Sequence, residues 1–132
     1  MSDTYTMIKP EAVAGGKVGA ILGQIEQNGF RIERIKSFSF SREQAELFYD
    51  VHKERPFYGD LVEYMMSGPV VGVHLQREDA VSRMRELVGA TNPEEATAGT
   101  IRFLHGASLS ENAIHASDSD ENAQRELGIV FG

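Results

Sequence analysis

The chain contains no cysteine. Disulfides and thiolate metal sites are excluded, and a reducing cytoplasm is the expected home. No apolar run approaches the roughly 18 residues that a membrane helix needs, so no segment is expected to span a bilayer. The opening Met1-Ser2-Asp3-Thr4-Tyr5 lacks the positive stretch of a secretory signal. Positive charge is scarce: 13 Lys and Arg against 20 Asp and Glu leave a net charge of −7. That argues against a surface built to coat nucleic acid, which needs clustered cations. It leaves room for a local basic pocket. Several well-known site signatures are missing too. Gly16-Lys17 is followed by Val18, and the position five before Gly16 is Glu11, so there is no Walker A loop. The chain has no His-Arg-Asp catalytic loop, no Gly-x-Ser-x-Gly elbow and no helical pair of histidines spaced for zinc.

What is present reads as one globular domain, residues 1–132, with an ordinary apolar share for a packed core. Residues 4–8 form a first strand, which Lys9-Pro10 closes because proline lacks an N–H for the ladder. Val18, Ile21, Leu22 and Ile25 follow helical spacing up to a stop at Asn28-Gly29. Alternation resumes at Phe30-Arg31-Ile32, changes phase at Arg34-Ile35 and returns at Phe38 and Phe40, which implies a bulge or a strand covered on both faces. Ser41-x-x-Gln44 is a capping box for a helix with Ala45, Phe48 and Tyr49 on one face. Past the break at Arg55-Pro56, a short helix over 58–66 stops at Ser67-Gly68-Pro69.

Val70-Val71-Gly72-Val73 is a continuous apolar run expected in a central strand. A helix from Glu78 to Val88 turns Ala80, Val81, Met84, Leu87 and Val88 inward, and Gly89 ends it. Residues 89–112 show little regular structure beyond a turn of helix after Asn92-Pro93, and a loop that long is more often functional than idle. Ala113 to Ser117 is a short strand, and Ser119 caps a last helix over 120–127. Setting the added helices aside, the order is β-α-β-β-α-β. The expected class is α+β: a ferredoxin-like sandwich with a four-stranded antiparallel sheet, helices on one face, added helices and a long loop.

Among the four histidines, His52, His74 and His105 read singly as structural or solvated. His115 sits differently, in Glu111-Asn112-Ala113-Ile114-His115-Ala116-Ser117-Asp118-Ser119, where polar residues bracket a short strand that leads into a helix N-terminus. Negative charge is favoured there. On that ground alone it is as readily structural as functional.

The balance shifts with the whole pattern. Ile8-Lys9-Pro10, Arg55-Pro56-Phe57-Tyr58, Ser67-Gly68-Pro69, Gly89-Ala90-Thr91-Asn92-Pro93, Ala98-Gly99-Thr100-Ile101-Arg102 and the block around His115 occur in order from the first strand to the last helix. Together they resemble the nucleoside diphosphate kinase family, whose fold is the sandwich expected above. The block around His115 is the most specific of them.

The resemblance implies an enzyme that moves the γ-phosphate of a nucleoside triphosphate to a nucleoside diphosphate. The route is ping-pong through a phosphohistidine at His115, with broad tolerance of base and sugar. Imidazole suits the task because it is nucleophilic and largely neutral near pH 7. Glu126 is implied as the partner that orients the ring, with Ser117 in support and the Tyr49 hydroxyl touching it. Lys9, Arg85 and Arg102 match phosphate-binding positions, beside the Thr91 hydroxyl. Taken singly, each of these cations would read as a surface charge or ion pair. Asn112 matches a ribose contact, Phe57 the aromatic that stacks on the base, and Leu61 the lining of the same cleft. Asp118 matches a contact through water to Mg²⁺ carried on the phosphates.

Implied partners are nucleoside di- and triphosphates and copies of the chain itself, in a homo-oligomer built from dimers, tetramer or hexamer. No nucleic acid and no membrane are expected. Two positions depart from the pattern: Ala116 where glycine is frequent, and Phe103-Leu104-His105 where an acidic and aromatic segment is usual. Alanine is strained at position 116 if its φ is positive. Two other readings stay open, a nucleotide- or RNA-binding module without turnover and a phosphohistidine carrier that hands its phosphate to a protein.

Overall fold

The computed structural model describes residues 1–132. Its centre is a four-stranded sheet of β1 (Ser2–Ile8), β2 (Arg31–Phe38), β3 (Val70–Arg77) and β4 (Ile114–Ala116), in the order β2-β3-β1-β4. Each adjacent pair is antiparallel. The helices are α1 (Pro10–Ala14), α2 (Val18–Gln27), α3 (Arg42–Phe48), α4 (Tyr58–Met65), α5 (Ala80–Val88), α6 (Ile101–His105) and α7 (Asp120–Phe131). The ferredoxin-like sandwich expected from the sequence is the fold observed.

Both central strands are buried, and their side chains divide between two cores. Ile8, Val71, Val73 and Leu75 pack with Ile21 and Ile25 of α2 and with Ala80, Met84 and Val88 of α5. Tyr5, Met7 and Val70 pack on the other side with Ala45 and Phe48 of α3, Val62 and Met65 of α4, and Leu127 and Val130 of α7. The added helices therefore cover the second face, which the expected one-sided sandwich leaves bare. That second layer is what meets His115. Gly72 is required by this packing, since a Cβ there would lie 2.6 Å from the Tyr5 hydroxyl.

Local signals set most boundaries. The Ser41 hydroxyl accepts the Gln44 N–H at 3.1 Å, and the Ser119 hydroxyl accepts that of Asn122 at 3.1 Å. Asn28 ends α2, with Gly29 beyond it at φ 86°. Gly89 closes α5 at φ 90°.

Several boundaries differ from expectation. β1 begins at Ser2, and α5 begins at Ala80 because Asp79 is left-handed at φ 51°. Val81 and Leu87 of α5 are half-buried. α7 runs on to Phe131 since Ile129, Val130 and Phe131 continue its apolar face. Pro10 does more than close β1: it opens α1 at the position where a missing N–H is harmless. The 89–112 loop holds a 3-10 turn at Pro93–Glu95, as expected, and also α6, which was not. The phase change in β2 is a bulge between Ile32 and Arg34, and the strand is largely exposed, not covered on both faces.

Candidate active site

β4 is short, and its register on β1 sets the site. Ser117 N–H donates to the Tyr5 carbonyl at 3.1 Å, and Lys9 N–H donates to the Ala113 carbonyl at 2.9 Å. With Met7 opposite His115, the odd-numbered residues face β1, and the Ile114 and Ala116 carbonyls point to the open edge. Arginines fill that edge. Arg102 Nη2 donates to Ile114 O at 2.8 Å, and Arg85 Nη1 reaches Ala116 O at 3.4 Å. The strand that carries His115 thus draws two guanidinium groups to itself.

The His115 side chain points to the opposite side of the strand from Ile114 and Ala116, toward the second core. Its Nε2 lies 3.0 Å from Glu126 Oε1 on α7. The same carboxylate oxygen accepts the Ser117 hydroxyl at 2.6 Å, and Ser117 Oγ also lies 3.1 Å from the Tyr5 carbonyl. The Phe48 ring meets the imidazole edge-on at 5.4 Å. With Nε2 committed to Glu126, Nδ1 is the nitrogen left for chemistry. The imidazole is 21% exposed and Glu126 only 8%, so the ring is partly open while the carboxylate that holds it is buried.

Lys9 is buried and donates from Nζ to Asn112 Oδ1 at 2.7 Å. Burial, then the Arg102 charge, brings its ammonium down to about 8, with Glu11 opposing. Arg102 is pulled down to about 10, first by burial and then by Arg85. Arg102 thus opposes the charge on Lys9, and Arg85 the charge on Arg102, while Glu11 favours the Lys9 ammonium. Arg102 also donates from Nη1 to Gly89 O at 3.2 Å, while its buried Nε–H has no partner. A buried donor without an acceptor costs about 1–3 kcal/mol, a cost that an anionic ligand oxygen there would remove. Asn112 Nδ2 donates to Thr91 O and Leu109 O, each at 3.0 Å. Its Oδ1 keeps one lone pair for a further donor such as a sugar hydroxyl.

The remaining expected residues fall as follows. Tyr49 is buried against Phe48 at 4.9 Å between ring centroids, and burial, then the Glu126 charge, raises its phenol. Its hydroxyl makes no hydrogen bond, to His115 or to any other group. Thr91 and Arg85 are exposed, and Leu61 is half-buried. Phe57 caps α4 and is 49% exposed, with the His52 ring 5.6 Å away. Ala116 lies within β4 and not in the left-handed region, so its methyl group is unstrained. Phe103 and Leu104 are exposed on α6, and the His105 carbonyl accepts Lys17 Nζ at 3.2 Å. Glu11 and Phe48 also meet the site and were not anticipated.

No three His, Asp or Glu side chains converge on a metal position. Asp118 is exposed, with its carboxyl lowered chiefly by the Asn122 hydrogen bond at 2.6 Å and further by Arg85. One exposed carboxylate beside the cations suits Mg²⁺ that arrives on phosphates and keeps its waters, not an ion caged by protein.

Comparison with known proteins converges on one family. The family described as nucleoside diphosphate kinase matches residues 2–132. A nucleoside diphosphate kinase of Lawsonia intracellularis is 53% identical over 131 residues, covering 99% of this chain and 95% of that protein. One from Campylobacter jejuni is 54% identical, covering 99% and 96%. Among solved structures, the Aquifex aeolicus nucleoside diphosphate kinase superimposes with a TM-score of 0.97 at 46% identity, covering 99% of this chain and 95% of that one. A halophilic nucleoside diphosphate kinase from Halobacterium salinarum, solved in complex with CDP, gives 0.94 at 34% identity, covering 98% and 87%. With a match that runs through every strand and every site position described above, this chain belongs to the nucleoside diphosphate kinase family.

Proposed function

We propose that residues 1–132 act as one catalytic domain that moves a γ-phosphate between nucleotides through Nδ1 of His115. The observation that carries this reading is the 3.0 Å contact of Nε2 with a buried, serine-braced carboxylate, which leaves Nδ1 uncommitted. In the first half-reaction the Nδ1 lone pair forms a bond to the γ-phosphorus. The bond from that phosphorus to the β–γ bridging oxygen breaks, and the diphosphate departs with the electron pair. Nε2 keeps its proton, and Glu126 stabilises the positive charge that the ring acquires. The second half-reaction reverses these bonds onto a different diphosphate.

Lys9, Arg85 and Arg102 hold the phosphate oxygens, with the Thr91 hydroxyl beside them, and preorganised cations of this kind do most of the work in phosphoryl transfer. Mg²⁺ carried on the phosphates would neutralise part of their charge, and Asp118 would reach it through water. Asn112 receives a ribose hydroxyl. Phe57 offers a stacking face with Leu61 beside it. Because every base has such a face and no side chain reads base edges, base tolerance is expected. The Tyr49 hydroxyl, buried and without a hydrogen bond, would serve as a donor to the phosphorylated ring. The reading includes a cytoplasmic setting and an assembly built from dimers, tetramer or hexamer, through sheet edges and the 89–112 segment. The small domain gains by sharing apolar surface, and Phe103, Leu104 and Leu109 stand exposed there.

Labelled ATP, GTP, CTP and UTP followed by a panel of diphosphates test the proposal. All four donors should label the protein, and every diphosphate should remove the label. Absence of label leaves a binding module; label that no diphosphate removes leaves a protein-directed carrier.

A further inference from the structure

Two residues before His115, just ahead of β4, the backbone does something unusual. Ala113 is fully buried and sits at φ 78°, a conformation that residues with a Cβ seldom adopt. Strained backbone of this kind persists only where its surroundings hold it. The Ala113 N–H donates to Glu11 Oε1 at 2.9 Å, and the Ala113 carbonyl accepts the Lys9 N–H at 2.9 Å. The Lys9 ammonium reaches Asn112 on the near side of the same residue. Residues 9–11 and 112–114 are thus clamped across 102 positions of sequence.

We propose that Glu11 is a positioning residue for phosphoryl transfer: its carboxylate holds Ala113 in the left-handed conformation, which fixes Asn112 on one side and Ile114-His115 on the other. Without that acceptor the Ala113 N–H would be buried and unpaired, and the backbone would relax toward negative φ. The relaxation would turn Asn112 away from Lys9 and shift the start of β4. Arg102 holds Ile114 and would move with it. The second oxygen of Glu11, Oε2, is buried and has no partner. It leaves an uncompensated anion beside Lys9, and this favours the charged amine there. Glu11 therefore acts twice, by geometry on Ala113 and by charge on Lys9. It touches neither His115 nor the transferred group.

This inference rests on the reading of His115 as the phosphorylated residue, and the experiment separates the two. Single-turnover phosphorylation by labelled ATP is measured for the wild type, Glu11→Ala, Glu11→Gln and the double variant Glu11→Ala with Ala113→Gly. Exchange of the Ala113 amide is followed by NMR. An unlabelled wild type overturns the His115 reading itself. With the wild type labelled, Glu11→Ala should fall about ten- to a hundred-fold, the scale of a small misplacement of reacting groups. Its Ala113 amide should exchange faster. Glycine adopts positive φ freely, so the double variant should recover most of the rate. Glu11→Gln keeps an acceptor and should stay within about three-fold at neutral pH, with the alkaline limb of its rate profile moved to lower pH. A wild-type rate in Glu11→Ala, or no recovery in the double variant, overturns the proposal. If Glu11→Ala does not fold, an unmoved alkaline limb in Glu11→Gln overturns the charge role, and unchanged exchange of the residue-113 amide in the double variant overturns the geometric one.

Discussion

The sheet has two edges, and they could hardly differ more. β4 is three residues long, its outer carbonyls are taken by Arg102 and Arg85, and α7 closes over its histidine. β2 is eight residues long, largely exposed, bulged, and dressed with Arg31, Glu33, Arg34 and Lys36. Both are edges of one antiparallel ladder with unpaired backbone groups to satisfy. At β2 the solution is water, charge and a bulge. At β4 it is cationic side chains, and those cations are what a phosphate needs. An edge strand can be a way of gathering positive charge in a chain whose net charge is −7.

The largest expected effect removes the centre of the covered edge. His115→Gln should abolish phosphoenzyme formation and exchange, while the melting temperature stays close to wild type because the imidazole is partly exposed. Acid-labile label in that variant would place the nucleophile elsewhere. Next comes the brace. Glu126→Gln keeps the shape but not the charge that stabilises the phosphorylated ring. Rapid-quench phosphorylation should slow about a hundred-fold, within the range of acid–base and electrostatic assistance, with ATP affinity little changed. An unaltered rate would make Glu126 a structural carboxylate only.

A third test turns on protons. Lys9 is down at about 8 through burial first and Arg102 second. The free amine titrates near 10.5. The folded value lies below the unfolded one, so charged Lys9 opposes folding below about pH 8, and that opposition fades as pH rises from about 8 toward 10.5. Nucleotide binding runs the other way, because the ammonium is lost over the same window. ATP affinity of the non-reacting His115→Gln protein, measured by calorimetry, should therefore weaken as pH passes about 8, with no loss of stability from this group. Arg102→Met removes one depressing charge, so the fall in affinity should move to higher pH. A flat affinity between about pH 7 and pH 9.5 would mean that the Lys9 ammonium is not held as described.

How much of this was legible in the sequence also divides along the two edges. The bulge in β2 showed as a break in alternation, and α2, β3 and the Ser41 and Ser119 caps showed as periodicity and cap chemistry. Around β4, His115 meets Glu126 and Ser117, and Lys9 meets Asn112, but the resemblance supplied their roles where spacing did not. α1 and α6 have five residues each, too few for a helical period to repeat. The Ala113 conformation is silent because alanine, unlike glycine, carries no signal of positive φ. Its holder, Glu11, lies far away in sequence and looks like an ordinary helix N-terminal acid. The bonding of the Tyr49 hydroxyl could not be read either, since it depends on packing against Phe48.

The smallest expected effect on the chemistry comes from the open edge. Ile35 on β2 is 52% exposed between Arg34 and Lys36. Ile35→Lys adds a third consecutive cation to the strand. Exposed substitutions away from special contacts change stability by no more than about 0.5 kcal/mol, so the subunit itself should melt nearly as before. His115 lies three strands away, beyond β3 and β1, and its bonds to Glu126 and those of β4 to Arg102 involve nothing from β2. The single-turnover rate per subunit should stay at the wild-type value. Association should not. Lysine on an edge strand is a standard way to prevent pairing, and two copies meeting there would set like charges against each other. Light scattering coupled to size exclusion should show dissociation at concentrations where the wild type is still associated. Unchanged association would remove β2 from the subunit contact and leave the 89–112 segment as its site. A slower phosphorylation rate in the dissociated subunit would show that the two edges depend on each other after all.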